Sequence, residues 1–219
     1  LNMSMVENFL SIQWKENDKL FQGLDIWQEE KYRKLRGQYP VIFLSFASVK
    51  GETYSEVREG IVQTILDLYA RYDYLRQSDA LNEKEKAYFD YVNADMSNTI
   101  AAMALRRLSL CINLHYGKKA LILLDEYDTP LQEAYVKGYW NELASFMSNL
   151  FNYTFKTNPY MERGLLTGIT RVSKESIFSD LNNLEIVTTT SNKYSTAFGF
   201  TEAEVMNALE MFGLQEQSG

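Results

Sequence analysis

Two adjacent carboxylates, Asp125 and Glu126, follow the apolar run Leu121-Ile122-Leu123-Leu124. A run so short and so apolar reads as a buried strand. In open α/β sheets, ligands bind outside the carboxyl ends of strands. An Asp at such an end can hold a Mg²⁺ that bridges the β- and γ-phosphates of a nucleotide. A Glu directly after it can polarise the attacking water as a general base. This is the pattern of a Walker B motif with its adjacent catalytic Glu. The same pair also fits a plainer arrangement, acidic residues where a buried strand runs out into solvent. The companion phosphate-binding motif, G-x-x-x-x-G-K-[ST], cradles phosphates with backbone N–H groups and a lysine. It does not occur here. Lys118, Lys119 and Lys50-Gly51 stand near glycines but not in that spacing. Taken alone, the chain is expected not to bind a triphosphate tightly.

Composition bounds the remaining possibilities. The 219 residues are 46% hydrophobic and 23% charged, the balance of a soluble globular chain. No apolar run approaches the roughly 18 residues that a membrane-spanning helix needs. A net charge of −7 is a poor match for nucleic acid, whose phosphates are contacted by Lys and Arg. The single cysteine allows no internal disulfide and fits a cytoplasmic protein. The single histidine, His115, argues against a His-rich metal site and against Ser–His–Asp or Cys–His catalysis. Leu1 to Leu10 lack the basic start of a signal peptide. A chain that starts at Leu1 rather than Met reads as cut from a longer protein.

The elements that must position the acidic pair are legible as alternating apolar runs and helical patterns. Strands are expected at Tyr39–Phe46, Ala120–Leu124 and Gly164–Ile169, with a weaker one at Leu184–Thr189. Helices are expected from Met3 to about Gln13 and after the capping patterns Thr53-x-x-Glu56, Asn82-x-x-Glu85 and Thr201-x-x-Glu204. Others should run from about Ser97 to Ile112, from Asp128-Thr129-Pro130, and over Trp140–Leu150. Asp128 is expected to cap the helix that Pro130 opens. Gly213 should end the last helix. Strands linked by helical crossovers mean an α/β fold with a mainly parallel sheet. One domain over 1–219 is expected, with a helical insertion at about 53–116 that is either an all-α excursion or a helical layer over one face of the sheet. The basic cluster Lys31, Arg33, Lys34 and Arg36 follows Glu29 and Glu30 and reads as a solvated helix face. Cys111 should lie in the core, and His115 near a helix C-terminus, where its charge would suit the dipole.

Several stretches, in order, resemble the AAA-ATPase-like family of predicted bacterial P-loop ATPases. They are Leu20-Phe21-Gln22-Gly23-Leu24, Tyr39 to Phe46, and Leu123-Leu124-Asp125-Glu126-Tyr127-Asp128-Thr129-Pro130-Leu131. Leu166-Thr167-Gly168-Ile169-Thr170-Arg171-Val172 and Phe198-Gly199-Phe200-Thr201 with Glu204-Val205 follow. Leu1-Asn2-Met3-Ser4-Met5 looks like what comes after the family's R-P-R-R-F-G-K-[ST] loop. The resemblance implies a P-loop NTPase core of the additional-strand, AAA-like type, here without its first strand and P-loop. It implies ATP and Mg²⁺ as cofactors of the parent protein and none bound by this chain alone. Asp125 would hold the metal and Glu126 would act on water. Thr167 and Thr170 would orient that water, and Arg171 would stabilise charge, in cis or toward a neighbouring subunit. The Phe43 strand should lie beside the Leu123 strand, with the Leu166 strand on its other side. The missing strand would leave an unpaired edge open to another chain, so self-association is expected there. Nucleic acid would be met only through a C-terminal nuclease-like domain that family members often carry. The rival function is a non-catalytic interaction scaffold in which the acidic pair is only structural.

Overall fold

Three apolar runs pair as a parallel sheet in a computed structural model that describes residues 2–169, 177–178, 184–188, 190–194, 196 and 199–214. The strands are β1 (Val41–Ser45), β2 (Ala120–Asp125) and β3 (Met161–Leu166), in spatial order β1-β2-β3. This is the expected order. Ile42 stands opposite Ile122 and Ser45 opposite Asp125. On the other side Leu123 stands opposite Leu165 and Leu124 opposite Leu166. The central strand is buried from Ala120 to Leu124, which is why it reads as unbroken apolar sequence rather than alternation. β3 starts at Met161, earlier than expected. Glu162 and Arg163 belong to the strand but face solvent, so an apolar-run reading passes over them. The strand ends at Leu166, and Thr167 to Ile169 already form the loop that follows.

Alternation sorts the strand residues onto two faces. On one face Met3, Val6 and Leu10 of helix α1 (Asn2–Leu10) pack against Val41, Phe43, Leu121 and Leu123. α1 stops three residues before the expected end. Ser11 then accepts a hydrogen bond from the Gln13 backbone N–H at 3.1 Å, which starts a separate short turn over Ile12–Trp14. Two one-turn helices follow, α2 (Asp25–Gln28) and α3 (Glu30–Arg33). Helices α4 (Tyr54–Arg71) and α6 (Asn98–Tyr116) cover the other face of β1 and β2, with α5 (Glu83–Tyr91) packed on α6. Ile61, Ile65 and Leu68 of α4, and Leu105, Leu108 and Ile112 of α6, are fully buried. Each such side chain contributes roughly 1.5–3 kcal/mol by leaving water. Cys111 is buried among them, as expected.

Helix ends follow the capping chemistry with one variation. Thr53 Oγ1 accepts from the Glu56 N–H, but the Glu56 carboxylate reaches back to the Glu52 N–H at 2.8 Å rather than to Thr53. Asn82 and Glu85 form the complete reciprocal box. Gly117, at φ 63°, ends α6 in the left-handed conformation that a Cβ disfavours.

The basic cluster is not uniformly solvated. Lys31 and Lys34 make exposed ion pairs with Glu29 and Glu30. Arg36 is buried instead. Its guanidinium donates to the carbonyls of Phe9, Trp14 and Lys15, pairs with Asp18 at 3.1 Å, and lies over the Phe21 ring. The reason is position. Arg36 follows α3 and turns inward to add charged donors at the ends of α1 and its neighbouring turn, where the Phe9 and Trp14 carbonyls also accept from the Gly37 and Asn17 N–H groups.

The chain divides into two compact units, Leu1–Leu181 and Asn182–Gly219. In the first, α7 (Thr129–Lys137) follows β2, and α8 (Trp140–Phe151) leads through a π-helical stretch, Asn152–Lys156, toward β3. In the second, α9 (Glu202–Met211) opens on the expected Thr201–Glu204 box, and Gly213 follows at φ 66°. Leu184 to Thr188 form no strand, contrary to expectation, and Thr189 lies outside the described residues. Thr188 turns back on itself: its N–H donates to Ser191 Oγ, and its carbonyl accepts from the Ser191 N–H, both at 2.9 Å. Such local bonds compete with strand pairing.

Candidate functional site

Asp125 is the last residue of the central strand, and the backbone around it is pinned from both sides. The Phe46 N–H, just past β1, donates to the Asp125 carbonyl at 2.9 Å. The Thr167 N–H, just past β3, donates to the Leu124 carbonyl at 3.0 Å. The Tyr127 N–H returns a bond to the Thr167 carbonyl at 3.0 Å. The ladder thus continues past the formal strand ends and fixes where the two carboxylates emerge.

Glu126 takes the chain out of the sheet at φ 50°. A non-glycine residue in this region carries strain of order 1–3 kcal/mol and persists only where its surroundings hold it. Here the following turn does so. The Thr129 N–H donates to the Glu126 carbonyl at 3.2 Å, and Thr129 Oγ1 donates to Glu126 Oε2, also at 3.2 Å. Asp125 is held in a parallel way: Thr167 Oγ1 donates to Asp125 Oδ1. The two carboxylates are therefore half-buried, adjacent, and each tethered by its own threonine hydroxyl.

Asp128 stands at the residue before α7, as expected, but makes no side-chain cap. A capping residue needs an extended backbone, and Asp128 is near-helical at φ −92° and ψ −13°. Its side chain is fully buried, and Oδ2 accepts from Gln132 Nε2 at 2.8 Å. Beside it, the Tyr127 ring meets Phe178 edge-on at 5.3 Å between centroids, and Phe178 stacks on Phe151. These aromatic contacts brace Tyr127, the residue that directly follows the Asp125–Glu126 pair. Nothing in the residue types signalled them, because Phe178 comes from a stretch with no strong periodicity.

Of the expected site residues, the structure brings Asp125, Glu126 and Thr167 together. Thr170 and Arg171 lie outside the described residues. Among the described residues no three His, Cys, Asp or Glu side chains cluster as a metal cage. Mg²⁺ does not require one, because it keeps several waters and is bound through one or two carboxylates plus substrate phosphates. Asp125, with Oδ1 engaged by Thr167 and Oδ2 turned to the other side of the carboxylate, is a donor of that type.

Other nucleophile chemistry finds no support in the described residues. Burial pushes the Cys111 thiol up to about 12, so it stays protonated at neutral pH. His115 does pair with a hydroxyl, Ser78 Oγ, at 2.8 Å from Nδ1. That pair sits where α6 ends, ahead of the first residue of β2, at the opposite end of the strand from Asp125. Its ring is packed against Tyr116 and Tyr74. Among the described residues, no helix is long and apolar enough to cross a membrane.

A family model described as predicted AAA-ATPase matches residues 1–178. The match ends just inside the first unit's boundary at Leu181, so the Gly199–Val205 stretch lies beyond it. An uncharacterized protein in the vnfD 5′ region of Azotobacter chroococcum mcd 1 is 31% identical over 90 residues. That similarity takes in 41% of this chain and 17% of the relative, so the chain spans only a small part of the curated relative it matches. No solved structure matches.

Proposed function

The chain belongs to the AAA-ATPase-like family of predicted AAA-ATPases, and from that membership we propose that the Asp125–Glu126 turn is the ATP-hydrolysing end of the complete gene product. One observation carries the proposal: two adjacent carboxylates leave the C-terminal end of the central strand, each oriented by a separate hydroxyl. A surface acidic pair at an unconstrained strand exit has no need of either tether.

Asp125 would hold Mg²⁺, with Thr167 keeping the carboxylate turned toward the metal. Bound Mg²⁺ supplies charge neutralisation on the β- and γ-phosphate oxygens. Glu126 would take the proton of the attacking water at a carboxylate oxygen. By family resemblance, Thr170 would help to orient that water and Arg171 would stabilise developing charge. No stretch of the 219 residues has the phosphate-binding spacing, so the proposal concerns the gene product with such a loop in place. The lone buried thiol fits a reducing, cytoplasmic setting.

The test compares Asp125→Asn with Glu126→Gln in the complete gene product. Asp125→Asn should weaken Mg²⁺-dependent nucleotide binding and turnover together. Glu126→Gln should spare binding and slow single-turnover hydrolysis by about 10²–10⁴-fold, or roughly 3–5 kcal/mol of barrier. Hydrolysis at the parental rate in Glu126→Gln would leave the acidic pair structural, on a fold that serves as an interaction scaffold.

A further inference from the structure

We infer that Thr129 is a positioning residue for Glu126, holding one carboxylate oxygen so that the other faces the reacting water. It rests on the reading of Glu126 as the general base.

A glutamate side chain has three rotatable bonds and, at a half-exposed strand exit, no intrinsic reason to keep one orientation. Glu126 also leaves the sheet through a left-handed backbone conformation, at φ 50°, which must be stabilised from outside. Thr129 supplies both constraints. Its N–H holds the Glu126 carbonyl and its hydroxyl holds Glu126 Oε2, each at 3.2 Å, which closes a ring through backbone and side chain. A hydroxyl in the first turn of a helix has several backbone partners within reach. This one is spent on a carboxylate instead.

The mount beneath Thr129 is rigid. Thr129 is the first residue of α7 and is followed by Pro130, whose ring fixes the backbone. Pro130, Leu131 and Ala134 are buried, which seats the helix start in the core. Just before Thr129, the buried Asp128 is bonded to Gln132 one turn further on. Thr129 Oγ1 is thus carried by a packed helix start rather than a free loop, the arrangement that lets a hydroxyl orient a neighbour precisely enough for chemistry. With Oε2 occupied, Oε1 is the oxygen left to accept a proton.

The experiment uses Thr129→Val, which keeps the shape and removes the hydroxyl, and Thr129→Ser, which restores it. In the complete gene product, Thr129→Val should slow single-turnover ATP hydrolysis about tenfold, with nucleotide affinity unchanged. Thr129→Ser should recover the rate. In the 219-residue chain without nucleotide, the ¹³C resonance of the Glu126 side-chain carboxyl, assigned by its absence in Glu126→Gln, should move in Thr129→Val and return in Thr129→Ser. An unchanged or faster rate in Thr129→Val, or an unmoved carboxyl resonance, overturns the positioning role. Parental hydrolysis in Glu126→Gln removes instead the reading of Glu126 as the base, and the positioning role with it.

Discussion

Gly168 lies so close to Asp128 that a Cβ built on it would stand 2.5 Å from Oδ1 and 2.8 Å from Cγ. The loop leaving β3 therefore presses directly on the loop leaving β2. Neither neighbour can easily give way. Asp128 is fully buried and bonded to Gln132, and the Tyr127 ring, 2.8 Å from the same Cβ position, is braced by Phe178 and Phe151. Gly168→Ala should lower stability by roughly 1–3 kcal/mol, the usual range for forcing a methyl into a packed site. Thermal unfolding of the 219-residue chain measures it. A variant that melts with the parent would mean that the two loops move apart freely.

Thr167 offers a sharper functional split. Its hydroxyl donates to Asp125, so on the proposed reading its removal should disturb the carboxylate assigned to the metal before it disturbs the water. A hydrogen bond to a charged group contributes about 1.5–3 kcal/mol. Thr167→Val in the complete gene product should weaken Mg²⁺-dependent nucleotide binding by roughly tenfold or more on that scale, and Thr167→Ser should retain it. If Thr167→Val instead binds normally and only hydrolyses slowly, the hydroxyl acts on water.

Two of the strands and the acidic pair were legible because they rest on strong local signals, whereas the order of the strands in space came with the family resemblance. Leu121 to Leu124 are apolar without interruption since the central strand is buried on both faces, and Asp125 and Glu126 stand out at its end. Ser97 and the Asn82 and Thr201 boxes announced their helices through side chains that bond nearby backbone. What escaped the sequence depends on partners distant along the chain. The second half of β3 was read from its apolar run, but its start at Met161 is recognisable only by pairing with β2, because Glu162 and Arg163 interrupt the apolar pattern. The Leu184–Thr188 run has the right residue types for a strand, yet local Thr188–Ser191 bonds turn it instead. The threonine tethers on Asp125 and Glu126 are invisible in composition. Thr129 is an ordinary residue until the turn brings its hydroxyl to Glu126, and Thr167, which the family resemblance pointed to for orienting water, has its hydroxyl on Asp125.

Arg36 shows the same limit and carries its own prediction. In sequence it is one of four clustered cations. In the structure its side chain is 6% exposed and satisfies three carbonyls from a segment more than twenty residues away. Arg36→Ala removes those charged donors, and a hydrogen bond from a charged group contributes about 1.5–3 kcal/mol, although the Phe9 and Trp14 carbonyls keep the Gly37 and Asn17 N–H groups. A loss of at least about 2 kcal/mol is expected. Lys34→Ala, which breaks only the exposed pair with Glu30, should stay within about 0.5 kcal/mol. Urea unfolding of the two variants side by side tests this. Equal effects would mean that Arg36 is replaceable by solvent.

Glu7 supplies a pH dependence whose sign follows from burial. It lies on α1, with its side chain 13% exposed. Burial raises its carboxyl above the ordinary 4.5, against the opposing pull of Arg71 and a hydrogen bond from Trp14. The Arg71 attraction is weak because the guanidinium stands 3.9 Å away and also donates to the Phe43 carbonyl. A carboxyl raised in the folded state binds its proton more tightly there than in the unfolded chain. Stability must then fall as pH rises from 4.5 through the raised value, because folding increasingly buries a charge. Glu7→Gln keeps the shape and an acceptor for Trp14 but carries no proton to lose. The variant should therefore match the parent below pH 4.5 and become the more stable of the two as pH rises toward neutrality. Urea unfolding at a series of pH values gives the difference directly. If Glu7→Gln is instead the less stable protein at pH 7, the ion pair with Arg71 outweighs the burial of the charge, and α1 is held to α4 by that pair.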